Sequence, residues 1–235
     1  MKKNFLLFVA AFAVSASFAQ FKKGDKIIEP GIGNFKLASD KYDNGKAKNF
    51  SMTVIFGGGY FLSPDFAIGA GLNPYLIFEN NFTTTGGNIK TVDYKSGSLS
   101  LSFEPYFRYY FKQNKNSRFY GQFAGYFSTF LFSNFTQNNY DATTGTLTST
   151  IKSNDFKVNR IGMTPSVGWS YFFNSHTALN LNLGYSFYKI KNSDKITTTY
   201  TNGQPSSTNS GSGSFKANEL NWNIGFTIVL PNKKG

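Results

Sequence analysis

The stretch Ser98 to Phe111, SLSLSFEPYFRYYF, decides the fold. Leu99, Leu101, Phe103, Phe107, Tyr109 and Phe111 share one parity, while Ser98, Ser100, Ser102, Glu104, Tyr106, Arg108 and Tyr110 share the other. A period of two belongs to an extended chain whose side chains point alternately to opposite faces, so this segment predicts a strand with one apolar and one polar side. Ile161 to Phe173 repeats the pattern, as does Leu179 to Phe187, where Leu179, Leu181, Leu183, Tyr185 and Phe187 alternate with Asn180, Asn182, Gly184 and Ser186. Helical spacing fits none of these runs.

Working outward gives eight strands: Asp25 to Leu37, Ala47 to Leu62, Phe66 to Glu79, Ser98 to Phe111, Arg118 to Phe132, Phe156 to Phe173, Thr177 to Ile190 and Lys216 to Leu230. Each reaches the roughly 9 to 11 residues that cross a bilayer obliquely. Short connections (Ser63 to Asp65, Lys112 to Ser117, Asn174 to His176) alternate with long ones (Ala38 to Lys46, Asn80 to Gly97, Ser133 to Asp155, Lys191 to Phe215). Short turns on one side and long loops on the other are the asymmetry of a transmembrane barrel. Tyr60, Phe61 and Phe66, then Tyr109 to Phe111 with Phe119 and Tyr120, then Tyr171 to Phe173, bracket the short turns and are expected to form an interfacial girdle.

Composition agrees. Aromatics make up 18% of the chain, with 27 Phe and 14 Tyr, yet mean hydropathy is −0.30. An apolar outer face around a polar lumen produces that combination. There is no cysteine, which excludes disulfides, thiolate metal sites and a lipid-anchored cysteine. The formal charge of +12 comes from scattered rather than clustered lysines and arginines, so anionic lipid headgroups are the expected counter-charge and nucleic acid is not an expected partner.

The N-terminus has Lys2 and Lys3, an apolar run from Phe5 to Val14, and Ser17-Phe18-Ala19 before Gln20. That is the anatomy of a secretory signal peptide, so residues 1–19 are expected to be removed and residues 20–235 to form the barrel domain. No other run is apolar enough to span as a helix.

On these grounds the chain resembles the small outer-membrane barrels of the OmpA/OmpX-like type, known as outer membrane protein β-barrel domain or porin family proteins. The segment Phe56 to Gly69, FGGGYFLSPDFAIG, is similar to that family's first strand-turn-strand unit. The resemblance implies an all-β, eight-stranded, antiparallel, up-and-down transmembrane β-barrel with short periplasmic turns and long extracellular loops, in a Gram-negative outer membrane beside lipopolysaccharide. The last strand resembles the family's assembly signal in Asn223, Gly225, Ile228 and Leu230, which implies delivery to the barrel insertion machinery. It lacks a terminal aromatic and continues into Pro231 to Gly235.

If the apolar face meets lipid, Glu29, Glu104, Arg108, Arg160 and Glu219 point inward, with Arg118 near the lower mouth. An eight-stranded barrel is just wide enough for its side chains, so these charges are expected to pair as a lumen ion-pair network that plugs it. A narrow, low-conductance pore is the alternative use of the same charges. No catalytic, cofactor or metal site emerges. His176, the single histidine, sits in a short turn beside Ser175, remote from the outer leaflet where a lipid-modifying enzyme would work. Gly57 to Gly59 lacks the Lys and helix of a phosphate loop, and Asp40, Asp43, Asp141 and Asp155 are scattered over different loops. Lys90, Lys95, Lys191 and Lys195 could meet outer-leaflet phosphates. The expected role is non-enzymatic: envelope integrity or contact with an unidentified surface partner through the loops. A soluble, lipocalin-like barrel would invert the faces and hold Phe107, Leu101 and Trp169 inside.

Overall fold

The computed structural model describes residues 21–42, 45–85, 89–114, 116–153 and 157–232. The expected signal peptide, Asp43, Asp155 and Phe156 lie outside them. The strands are β1 (Lys26–Tyr42), β2 (Gly45–Ser63), β3 (Phe66–Thr85), β4 (Ile89–Asn114), β5 (Ser117–Tyr140), β6 (Leu147–Ser153), β7 (Lys157–Phe172), β8 (Thr177–Tyr200) and β9 (Ser207–Leu230). Each of β1, β2, β3, β4, β5, β7, β8 and β9 pairs antiparallel with the next, and β9 pairs with β1, closing an eight-stranded ring.

The ninth strand lies outside the ring's lower part. β6 pairs with β5 at Phe135↔Ser153 and with β8 at Ser153↔Ile196, taking up the course of β7 above Lys157. Most of the segments read from sequence as long loops are therefore strand. β4 alone, at 26 residues, extends roughly 85 Å along its own path. Thr, Ser, Asn and Tyr in these segments carry enough extended propensity, and enough cross-strand bonding, to continue the ladders in water. Thr150 Oγ1 donates to Asn138 Oδ1 at 3.0 Å and Asn139 Nδ2 to Ser149 Oγ at 3.0 Å.

Burial is inverted relative to a water-soluble protein. Phe107 is 50% exposed and Val167 63%, whereas Ser102 and Arg108 are each 5% exposed and Ser170 1%. Desolvating polar groups inside while leaving apolar ones outside is favourable only where the outside is lipid. The position of Phe107 excludes the lipocalin-like inversion.

The girdle is smaller than expected, because strict alternation sends every second aromatic inward. Tyr60, Tyr109, Phe111, Phe119 and Tyr171 face out, but Phe61, Tyr110, Tyr120 and Phe172 are buried inside the mouth. Two contacts need glycine: a Cβ at Gly69 would strike the Tyr106 ring and one at Gly168 the Tyr120 ring, each from the directly paired position.

The ring is not closed over its whole height. β1 and β9 pair from Lys26↔Leu230 to Gly33↔Asn223 and no further, while β1 continues along β2 and β9 along β8. Asn34 ends the ladder with φ of 48°, a left-handed conformation that Asn tolerates better than most residues. Its Nδ2 donates to Asn221 Oδ1 at 3.0 Å, and its own Oδ1 accepts from the Trp222 N–H at 3.4 Å.

Candidate functional site: the lumen

Three layers fill the lumen. At the short-turn end, the segment before β1 folds into the mouth. Phe21 stacks on Phe61 with ring centroids 4.0 Å apart, and meets Tyr110 at 5.0 Å and Phe172 at 5.4 Å. The entry is pinned by Gly24 N–H to Phe61 O at 2.9 Å and by Asn232 N–H to Asp25 Oδ1 at 3.0 Å. The Arg118 guanidinium lies 4.6 Å from the Phe21 ring centroid and donates to Pro64 O at 3.1 Å. Composition gives no hint of this stopper, since Phe21 precedes the first alternating run.

Above it lies an ionic layer. Arg108 on β4 meets Glu29 on β1 through two parallel bonds, Nη1 to Oε1 at 2.5 Å and Nη2 to Oε2 at 3.1 Å. Such a fork fixes both side chains in one plane. Glu29 also accepts from Tyr106 Oη at 2.8 Å and Thr227 Oγ1 at 3.0 Å. Thr227 accepts in turn from Asn180, whose Oδ1 accepts from Ser170 Oγ at 2.7 Å. Arg108 Nε donates to Gln122 Oε1 at 2.8 Å, and its guanidinium lies 4.4 Å from the Tyr120 ring centroid. Four strands beyond the ion pair's own two, β5, β7, β8 and β9, thus contribute partners or links, because each places a polar residue on the inward parity at the same height.

Two adjoining cavities of about 70 and 90 Å³ occupy the outer side of this layer. They hold the remaining candidates. Glu104 accepts from Ser102 Oγ at 2.8 Å, and Glu219 from Tyr188 Oη at 3.0 Å. Arg160 lies over the rings of Phe130 at 5.6 Å and Tyr188 at 5.7 Å. The structure therefore brings Glu29 and Arg108 together as an ion pair, and gathers Glu104, Arg160 and Glu219 in the cavity above without an ion pair among those three. The polar partners, above all Tyr106, Thr227 and Asn180, are not singled out by charge, although their parity matches that of Arg108.

His176 is exposed in its turn, with Nδ1 2.7 Å from Ser175 Oγ. Gly57 to Gly59 lies within β2, paired with Ile27 to Glu29. Asp141 orders a turn at the outer end, accepting from Thr143 N at 2.9 Å and Thr144 N at 2.7 Å, and these bonds hold its carboxyl below the usual carboxylate range. Lys90 pairs with Asp93 at 3.1 Å rather than standing free. Among the described residues no group of three or more His, Cys, Asp or Glu side chains could hold a metal ion.

The family model described as outer membrane protein beta-barrel domain matches residues 5–192. No curated protein matches the chain. Among solved structures, OprG from Pseudomonas aeruginosa is 17% identical, with a TM-score of 0.50 over 92% of this chain and 100% of its own. AlkL, solved in DMPC lipid bilayers, is 14% identical with a TM-score of 0.47 over 93% and 96%. Ail, the attachment invasion locus protein of Yersinia pestis, is 10% identical with a TM-score of 0.35 over 88% and 99%.

Proposed function

Because the chain belongs to the outer membrane protein β-barrel domain family and sits in the lipid of the outer membrane, we propose that it is a non-enzymatic, stoppered barrel serving envelope integrity or contact with a surface partner. The observation that carries this reading is the height of the wall. Strands of up to 26 residues run far beyond the roughly 10 needed to cross the bilayer, and above Gly33↔Asn223 the facing edges of β1 and β9 lack a ladder partner in each other. An unpaired strand edge can take up an extended segment of another chain by backbone hydrogen bonding.

The lumen supports a stopper: the Phe21 layer and the Glu29–Arg108 layer lie in series. A narrow conduit is the second reading, favoured by the cavities above Arg108. Export with cleavage after Ala19 would make Phe21 the second residue of the mature chain. Delivery to the insertion machinery through β9 fits the position of Asn223, Gly225, Ile228 and Leu230 on the strand that closes the ring.

The test shortens the outer parts of β8 and β9, replacing residues 191–215 by a tight turn. Heat-modifiable migration should persist while surface binding by expressing cells is lost and planar bilayers show no current steps. Unchanged surface binding would overturn the contact reading, and current steps altered by Arg108→Ala would replace the stopper with the conduit.

A further inference from the structure

The charges lining the two lumen cavities do not balance. They are Glu29, Glu104 and Glu219 against Arg108 and Arg160. Glu29 is matched by Arg108. Glu219 and Arg160 meet around Tyr188, which donates to the first and lies beneath the second. Glu104 is the carboxylate left over. It receives a neutral donor from Ser102 Oγ, Asn73 lines the same cavities, and no cationic side chain lies within ion-pair distance among the described residues.

A second observation points the same way. Asn73 faces Ser102 across β3 and β4, is 6% exposed, lines both cavities, and its Oδ1 is buried without a hydrogen-bond partner. An orphaned buried acceptor costs about 1 to 3 kcal/mol, so a donor is the missing complement. An unmatched carboxylate beside an unmatched carbonyl oxygen calls for a group carrying both positive charge and several N–H donors.

We propose that the upper lumen is a receptor for the protonated amine of a small solute, with the ammonium held between the Glu104 carboxylate and Asn73 Oδ1. A primary alkylammonium offers three donors on one tetrahedral centre, enough for both acceptors, while cavities of about 70 and 90 Å³ limit what enters to a small head. The inference is independent of the surface-contact reading, since it concerns the interior below the ribbons.

The test uses the folded full chain in detergent micelles with methylammonium as probe, at constant ionic strength, read by line broadening of the ¹³C-labelled methyl group. Saturable binding to the wild type is expected. It should weaken at least about tenfold in Glu104→Gln and in Asn73→Leu, and remain unchanged in Asp141→Asn, which lies outside the lumen. Tetramethylammonium, which has the charge but no N–H, should compete poorly. Absence of saturable binding, equal binding by Glu104→Gln, or equal competition by tetramethylammonium overturns the proposal. Infrared spectroscopy of the wild type guards against a variant that fails to fold. A protonated carboxylic acid band at neutral pH that methylammonium does not move would show Glu104 to be neutral and the site to be no receptor.

Discussion

Arg108 and Glu29 lie 79 residues apart and join β4 to β1, three strands away around the ring, through a two-bonded fork inside the lumen. Both are buried, at 5% and 8% exposure, so each charge depends on the other for compensation. Removing either partner strands the survivor, which typically costs about 3 to 5 kcal/mol. Urea unfolding in micelles should show Glu29→Ala and Arg108→Ala each destabilised by that order. The double variant should be destabilised by clearly less than the sum. Strict additivity would show that the pair does not act as a unit.

Phe21 anchors the aromatic layer at 2% exposure, and truncating a buried Phe to Ala costs about 3 to 5 kcal/mol. Phe21→Ala should lower the unfolding midpoint without opening the barrel, because the Glu29–Arg108 layer remains in series above it. Ion leakage from proteoliposomes carrying this single variant would mean that the ionic layer alone is no barrier. Leakage only on combining Phe21→Ala with Arg108→Ala is the expected pattern.

Gly168 and Tyr120 occupy one cross-strand pair, and the ring covers the glycine so closely that a Cβ there would displace it. Overpacking of this kind costs about 1 to 3 kcal/mol. Gly168→Ala should destabilise the barrel, and combined with Tyr120→Ala, itself costly because that ring is buried, it should cost clearly less than the sum of the two single changes. Strict additivity would place the strain elsewhere.

Alternation made the ring legible from sequence: Leu101 and Phe103 point out and Ser102 and Glu104 point in, as the parity of Ser98 to Phe111 requires. The same parity placed Glu29 and Arg108 inside. Which inward charges meet was not legible, because pairing depends on height around a closed ring, and a shift of two residues preserves parity while moving a side chain by about 7 Å. The stopper was hidden for a different reason. Phe21 lies outside any alternating run, and the aromatics it meets, Phe61 and Phe172, stand in turn-flanking clusters where both parities are aromatic. The outer ribbons were hidden because a strand wetted on both faces loses the apolar half of the pattern, as Thr197 paired with Thr208 shows.

The seam above Gly33↔Asn223 is held by Asn34, whose side chain stands in for the missing ladder while its backbone sits at φ 48°. Glycine keeps the conformation and loses the amide; alanine loses both. Asn34→Gly should therefore raise amide exchange at Trp222 with little change in global stability. Asn34→Ala should add about 1 kcal/mol of backbone strain. Equal exchange at Trp222 in both variants and the wild type would show that the side chain does not hold the seam.

Asp141 offers a pH test away from the membrane. Its carboxylate accepts from the backbone N–H groups of Thr143 and Thr144 and from the Thr144 hydroxyl, which is why its pKa is lowered in the folded turn. A carboxylate with a depressed folded pKa contributes order that is fully present above its unfolded value, near 3.8, and is lost as pH falls through the lower folded value. The amide shifts of Thr143 and Thr144 should accordingly be constant through neutral and mildly acidic pH, then move together below the ordinary aspartate range. Asp141→Asn should keep an acceptor oxygen but abolish that titration. A transition centred above the usual range, or one that persists in the asparagine variant, would mean that another group orders the turn.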